Sequence, residues 1–193
     1  MAQVSRYHAL IVILHWFLAF LIVTALALGA LVMVKIPNSD PMKIEALRTH
    51  MTGGISILSL MLVRLIVRTR SARPPDATTG NLWLNQLAWL SHRALYVAVF
   101  AVGIAGLTMA IESGVLGLVF GDSPPVPDDF WVYPARAVHY VMSRVLMALI
   151  ALHVTGALYH TLVLRDGLLR RMWLGRLLVK AGAGDAAPAP ASS

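Results

Sequence analysis

The chain has 193 residues, 58% of them hydrophobic and 13% charged, with a mean hydropathy of +0.72 and a formal net charge of +7. Its apolar residues gather in blocks close to bilayer length, so the expected organisation is one integral membrane domain with no separate soluble catalytic domain. The absence of cysteine excludes disulfides, haem attached through a Cys-x-x-Cys-His motif, cysteine-ligated iron–sulfur clusters and thiol catalysis, so redox chemistry here requires a non-covalent cofactor.

The first apolar block covers residues 9–34 and is broken only by His15 and Trp16. Arg6 before it and Ala-Leu-Gly-Ala near its end have the look of a secretory signal. The run is about 26 residues, however, against roughly 7–15 for a signal's apolar region, so a span is expected. The second block begins near His50 and continues through GGISILSLMLVRLIV to residue 67; the third covers 87–111; the fourth covers 137–164 and carries Arg144. Each is long enough to cross a hydrocarbon core of ~30 Å as a helix, and helices satisfy their own backbone groups in lipid. The expected fold is therefore all-α, an integral membrane four-helix bundle within residues 1–180. The remainder, 181–193, has too little to bury and is expected to be a disordered cytoplasmic tail.

Loop charges give an orientation. Arg6, the group Arg64, Arg68, Arg70 and Arg73, and the C-terminal Arg165, Arg170, Arg171, Arg176 and Lys180 fall on one side. Lys35, Lys43 and Arg48 are mixed with Asp40 and Glu45 on the other, where the third loop adds Glu112, Asp122, Asp128 and Asp129. The positive-inside rule then places both termini in the cytoplasm. The net charge reads as topology, and without a basic stripe interleaved with aromatics no nucleic-acid partner is expected. Trp83, Trp89, Trp131 and Trp173 fall near span ends and are expected to anchor at the headgroups. Residues 168–180, basic and amphipathic, are expected to lie on the inner surface. The Pro-rich GDSPPVPDD of the third loop is expected to be irregular, and His8 to be a solvated surface residue.

With both termini inside, His15 lies in the inner part of the first span and His50 at the outer end of the second. His139 is outer on the fourth span; His153, fourteen residues on, shares its helix face about 21 Å further in. Two pairs at matched depth result, His50 with His139 and His15 with His153. Neutral imidazole is an axial haem ligand, and facing histidines in a bundle interior are where a membrane haem is held. Two imidazoles on one iron leave no open position, so the expected chemistry is electron transfer across the membrane. Histidines can also simply hydrogen-bond neighbouring helices. A proton-relay or divalent-metal transporter would be expected to add buried carboxylates, and no span has an acidic residue in its interior.

Other residues fit such a site. Gly53 and Gly54 would let a flat macrocycle, or another helix, approach the backbone. Arg64, fourteen residues beyond His50, serves as a topology charge or a haem propionate contact; a buried Arg144 is expected to meet a propionate or bound anion, or to snorkel to the surface. His160 is a candidate quinone-site group that hydrogen-bonds or relays protons, or an interfacial hydrogen-bonding histidine. His92 is a candidate support for the inner haem or quinone pocket.

Four pieces carry a resemblance to a known family: Ser5-Arg6-Tyr7 followed by LHW at 14–16, HMTGGISILSLMLVRLIVR at 50–68, AWLSHRALYVAVFAVGIAGLTM at 88–109, and the stretch from His139 through LHVTGALYH at 152–160. Over about residues 5–175 the chain resembles the bacterial cytochrome b561 family of four-helix di-haem membrane proteins, and most closely its stand-alone members. The resemblance implies His15, His50, His139 and His153 as axial ligands of two haem b groups and exchange of electrons with membrane ubiquinone. It also implies a bacterial inner-membrane location and an oxidoreductase that could take electrons from superoxide at the periplasmic face. Arg48, Lys43, Arg136 and Arg144 would form a local positive funnel for that anion. The alternative is an anchor or electron-relay subunit for a hydrogenase or another periplasmic dehydrogenase, which would require a periplasmic redox partner.

Overall fold

A computed structural model describes residues 7–72 and 79–172 of the chain. Among these residues the structure is helical without strands. Helix α1 (Ala9–Ala27) continues as a π-helical turn over Leu28–Met33. It is followed by α2 (Met42–Arg70), α3 (Leu82–Glu112), and α4 (Pro134–Tyr159), which continues as a second π-helical turn over His160–Leu164. A short α5 (Leu168–Arg171) comes last. Four spans of 25, 29, 31 and 31 residues result. At 1.5 Å per residue each exceeds the ~30 Å hydrocarbon thickness, so their ends project into the headgroup layers. Arg6, Arg73, Trp173, Arg176, Lys180, most of the amphipathic 168–180 segment and the 181–193 tail lie outside the described residues.

Helix α1 begins at Ala9, as hydropathy predicts, whereas α2, α3 and α4 begin earlier, because polar or proline-led starts open them before the apolar blocks. Asp40 accepts a hydrogen bond from the Met42 amide at 2.8 Å, so α2 opens eight residues before His50. Asn81 accepts from the amides of Trp83 and Leu84 and opens α3; Pro134 occupies the first turn of α4, where its missing N–H costs nothing. His8, expected to be only a solvated surface residue, caps α1 by accepting from the Leu10 amide at 3.3 Å. The third loop is irregular through its proline stretch, but 3₁₀ turns flank it over Val115–Phe120 and Phe130–Val132.

Consecutive helices pack against one another, most extensively α3 against α4. The outward faces are apolar, with Phe20 67%, Val97 66% and Ile104 57% exposed, as a lipid solvent allows. The central core joins Leu14, Leu18, Ile57, Met61, Ala98, Val99 and Leu146. Small residues set the closest approaches: a methyl group on Gly103 would fall 2.4 Å from the Leu58 side chain, so α2 and α3 meet where α3 has no side chain. A second cluster of Leu47, Ala110, Val115 and Leu118 seals the end formed by the first and third loops.

That end is also fastened by polar contacts. The Asn38 amide nitrogen donates to the carbonyls of Pro127 (3.0 Å) and Asp128 (2.9 Å), tying the first loop to the third. Arg48 donates to the Leu118 carbonyl and pairs with Glu45. Buried Lys43 donates from Nζ to the carbonyls of Met33 and Ile36, satisfying acceptors left free where the first span ends.

Candidate cofactor sites

At the first-loop end, α2 delivers His50 and α4 delivers His139, with ring centroids 6.1 Å apart and planes at 78°. Both rings line a cavity of ≈ 490 Å³ reached by residues of all four spans. The Nδ1 of His139 lies 2.9 Å from the Val102 carbonyl of α3. A carbonyl only accepts, so Nδ1 carries the proton and Nε2 keeps its lone pair. Gly106 makes this approach feasible: a methyl there would lie 3.0 Å from both Nδ1 and Cε1 of the ring. Gly29 plays a looser version of the same part for His50, where an added methyl would sit 3.5 Å from Cε1. The Nδ1 of His50 is buried without a hydrogen-bond partner.

At the opposite end, α1 delivers His15 and α4 delivers His153, with centroids 6.2 Å apart and planes at 75°. A metal–imidazole bond of about 2 Å on each side of one iron, plus about 1 Å from each nitrogen to its ring centre, places two ligating rings roughly 6 Å apart. Both pairs meet that separation. His92, from α3, is 5.1 Å from His153, too close for the two rings to share an iron, and its Nδ1 is 2.6 Å from the Ala88 carbonyl. Among the described residues no group of three or more His, Cys, Asp or Glu side chains is placed to hold a bare metal ion. Two facing imidazoles suit instead a metal whose remaining positions are filled by a macrocycle, and the first cavity has the glycine-edged walls that a flat ring requires. The residues present fit haem.

The arginines divide between the two sites. Arg64 is buried, only 9% exposed, bonds the Tyr96 hydroxyl through Nη1, and places Nη2 3.4 Å from Nδ1 of His15. Arg144 is not buried as the sequence suggested: it is exposed, with its guanidinium 5.1 Å from the Tyr140 ring centre and its side chain on the wall of the first cavity. Arg136 lines the same cavity and stacks 4.6 Å from the centre of Trp131. Of the expected positive funnel, Lys43, Arg136 and Arg144 therefore line the cavity, whereas Arg48 is turned to Glu45 and the Leu118 carbonyl.

His160 is buried where α4 unwinds, with Nδ1 2.5 Å from Oδ2 of Asp166. The other Asp166 oxygen accepts from the Leu168 amide, and Arg165 between them adopts a left-handed conformation with φ 50°. Sequence reading missed Asp166, Tyr96 and Gly106. The signal for Gly106 was a glycine inside the last two turns of a span; its partner was not visible because it comes from another helix.

The sequence profile of prokaryotic cytochrome b561 matches residues 6–175. Among similar proteins, "Cytochrome b561 homolog 2" of Escherichia coli (strain K12) is 29% identical over 172 residues, 87% of this chain and 91% of that protein. "Probable superoxide oxidase CybB" of Yersinia pestis is 28% identical over 173 residues, 87% of this chain and 96% of that protein. "Cytochrome b561 homolog 1" of Escherichia coli (strain K12) is 28% identical over 172 residues, covering 87% of this chain and 97% of its own length.

Proposed function

This chain belongs to the prokaryotic cytochrome b561 family and is a membrane b-type cytochrome of electron transfer; from that premise we propose that it holds two haem b groups and passes electrons from a periplasmic donor, superoxide, to ubiquinone. The observation that carries the reading is the recurrence of one geometry at two depths, with ring separations of 6.1 and 6.2 Å. His50 and His139 would hold one haem and His15 and His153 the other, and the group would supply one-electron redox chemistry there.

The chain's own residues supply the rest. His139 keeps Nε2 free for the metal because Nδ1 is committed to Val102. Lys43, Arg136 and Arg144 make the wall of the first cavity positive, which attracts an anion and suits a propionate. The basic flanks support a reading with both termini in the cytoplasm and that cavity at the periplasmic side of the bacterial inner membrane. His160, paired with Asp166, stands at the cytoplasmic end as a proton-exchanging group for quinone. The balanced reaction oxidises two superoxide anions to dioxygen while one quinone gains two electrons and two protons to become the quinol.

The test is addition of the purified, oxidised protein to an air-equilibrated, steady enzymatic source of superoxide, followed at the haem α band. Reduction that superoxide dismutase abolishes, and that a short-chain ubiquinone reverses, is the expected result. Replacing Arg136 and Arg144 together with glutamine should slow reduction by superoxide about tenfold at low salt, the lower end of electrostatic steering, while leaving the final extent of reduction by excess dithionite unchanged. Two haems inert to superoxide would overturn the donor assignment and make the chain a relay subunit.

A further inference from the structure

The chain does not leave the bundle where α4 ends. Past Tyr159 the helix widens into its π-helical turn, and Arg165 (φ 50°) and Gly167 (φ 70°) then take left-handed conformations that reverse the chain. A non-glycine residue keeps such a conformation only where its surroundings hold it. Here the hold is Asp166, whose carboxylate oxygens accept from Nδ1 of buried His160 at 2.5 Å and from the Leu168 amide at 3.0 Å. The short α5 runs on to Met172, whose carbonyl accepts a 3.0 Å hydrogen bond from the indole nitrogen of Trp16.

That last bond joins the far side of α4 to α1 across 156 positions of sequence, beside a ligand candidate. Trp16 follows His15 directly, and their ring centres are 5.4 Å apart. Helical side chains lean toward the N-terminus of their helix, and α1 begins at this end, so the indole reaches from His15 toward the end of the bundle. On α4 the strap departs beyond His160, about 10 Å past His153 in the same direction. Residues 165–172 therefore run from one ligand-bearing helix to the other, beyond both imidazoles. None of their ties uses a group that the His15–His153 pair would give to a metal.

Resting on the proposed quinone-reducing di-haem reading, we propose that residues 165–172 are a strap closing the end of the bundle beyond His15 and His153, and that Trp16 is the positioning residue that fastens it. The closed strap makes that site yield electrons to an apolar ring arriving through the bilayer in preference to a water-soluble oxidant. A soluble oxidant approaching along the bundle axis meets the strap first, whereas an apolar acceptor arrives from the side, where the spans present apolar faces.

Stopped-flow reoxidation of the reduced holoprotein in inverted membrane vesicles tests this, read against vesicles without the protein. Ferricyanide, a water-soluble anion that does not cross the bilayer, is compared with a short-chain ubiquinone as oxidant. The variants are Trp16→Phe, which keeps a ring and loses the donor, and Gly167→Val, which strains the left-handed turn at the other end of the strap. Loss of one neutral hydrogen bond shifts a closed-to-open ratio about two- to tenfold. Ferricyanide should therefore oxidise both variants about two- to tenfold faster than the natural chain, with ubiquinone no faster and two haems retained. Two haems with unchanged ferricyanide rates in both variants would overturn the strap and leave the di-haem reading standing, as would a natural chain that ferricyanide oxidises as readily as ubiquinone does. Should Trp16→Phe lose a haem, Gly167→Val decides alone. A natural chain with two haems that ubiquinone does not oxidise would overturn the quinone reading and the preference built on it, and fewer than two haems would overturn the di-haem reading.

Discussion

Replacing His139 with alanine should reduce the bound haem from two groups per chain to one. The remaining haem should belong to the His15–His153 site, because His153 lies fourteen residues further along α4, about 21 Å away along the axis. His50→Ala should give the same product, since one imidazole would then face the cavity alone. His15→Ala and His153→Ala should each remove the other haem. His92→Ala is the discriminating control: its ring is 5.1 Å from His153, inside the separation that two ligands of one iron require, so both haems should be retained. Pyridine haemochrome on purified variants gives the count, and far-UV circular dichroism verifies that the helices persist. Loss of both haems from each single variant with the helices intact would contradict the pairing.

The second large effect is expected from Gly106, which binds nothing itself. A methyl at this position would sit 3.0 Å from two atoms of the His139 ring, tighter than ordinary contacts, so the ring must move away from α3 by a few tenths of an ångström. That shift weakens the bond from Nδ1 to the Val102 carbonyl, which fixes both the tautomer and the orientation of the ring. Losing the hydrogen-bond partner of a ligating histidine costs about 10–100-fold in metal affinity. Gly106→Ala should therefore release one haem about ten to a hundred times more readily to a scavenging apo-globin, and Gly106→Val more readily still. Gly156→Ala, where an added methyl meets nothing within 4 Å, should retain both haems. Equal retention in Gly106→Ala and Gly156→Ala would show that the ring does not depend on this contact.

These two predictions mark where the sequence was legible and where it was not. The four spans were readable because each is a long apolar block, and the depth of each histidine follows from its position along a helix. The pairings His50–His139 and His15–His153 needed only matched depth, and the structure brings the two rings of each pair to 6.1 and 6.2 Å, edge to face. Helix starts were less legible, because Asp40, Asn81 and Pro134 set them outside the apolar blocks. Arg144 was read as buried because it interrupts an apolar run, but only the bundle determines which azimuth faces lipid. Arg48 looked like a free cation, and Glu45, one turn earlier, takes it.

What sequence reading could not reach are contacts between helices distant in the chain. Val102 and Gly106 act on His139 from across the α3–α4 seam, and Tyr96 reaches Arg64 from α3 to α2. No periodicity within one helix encodes such a partner. Asp166 was missed for a local reason: the π-helical turn and the left-handed Arg165 fold the chain back, so a residue six positions on meets His160 where a regular helix would carry it away.

The most direct test of the central claim is the haem-to-protein ratio of the natural chain, measured by pyridine haemochrome against amino-acid analysis on detergent-purified protein. Two haem b groups per chain is the predicted result; a single haem, or none, would contradict the assignment of the two histidine pairs as haem sites.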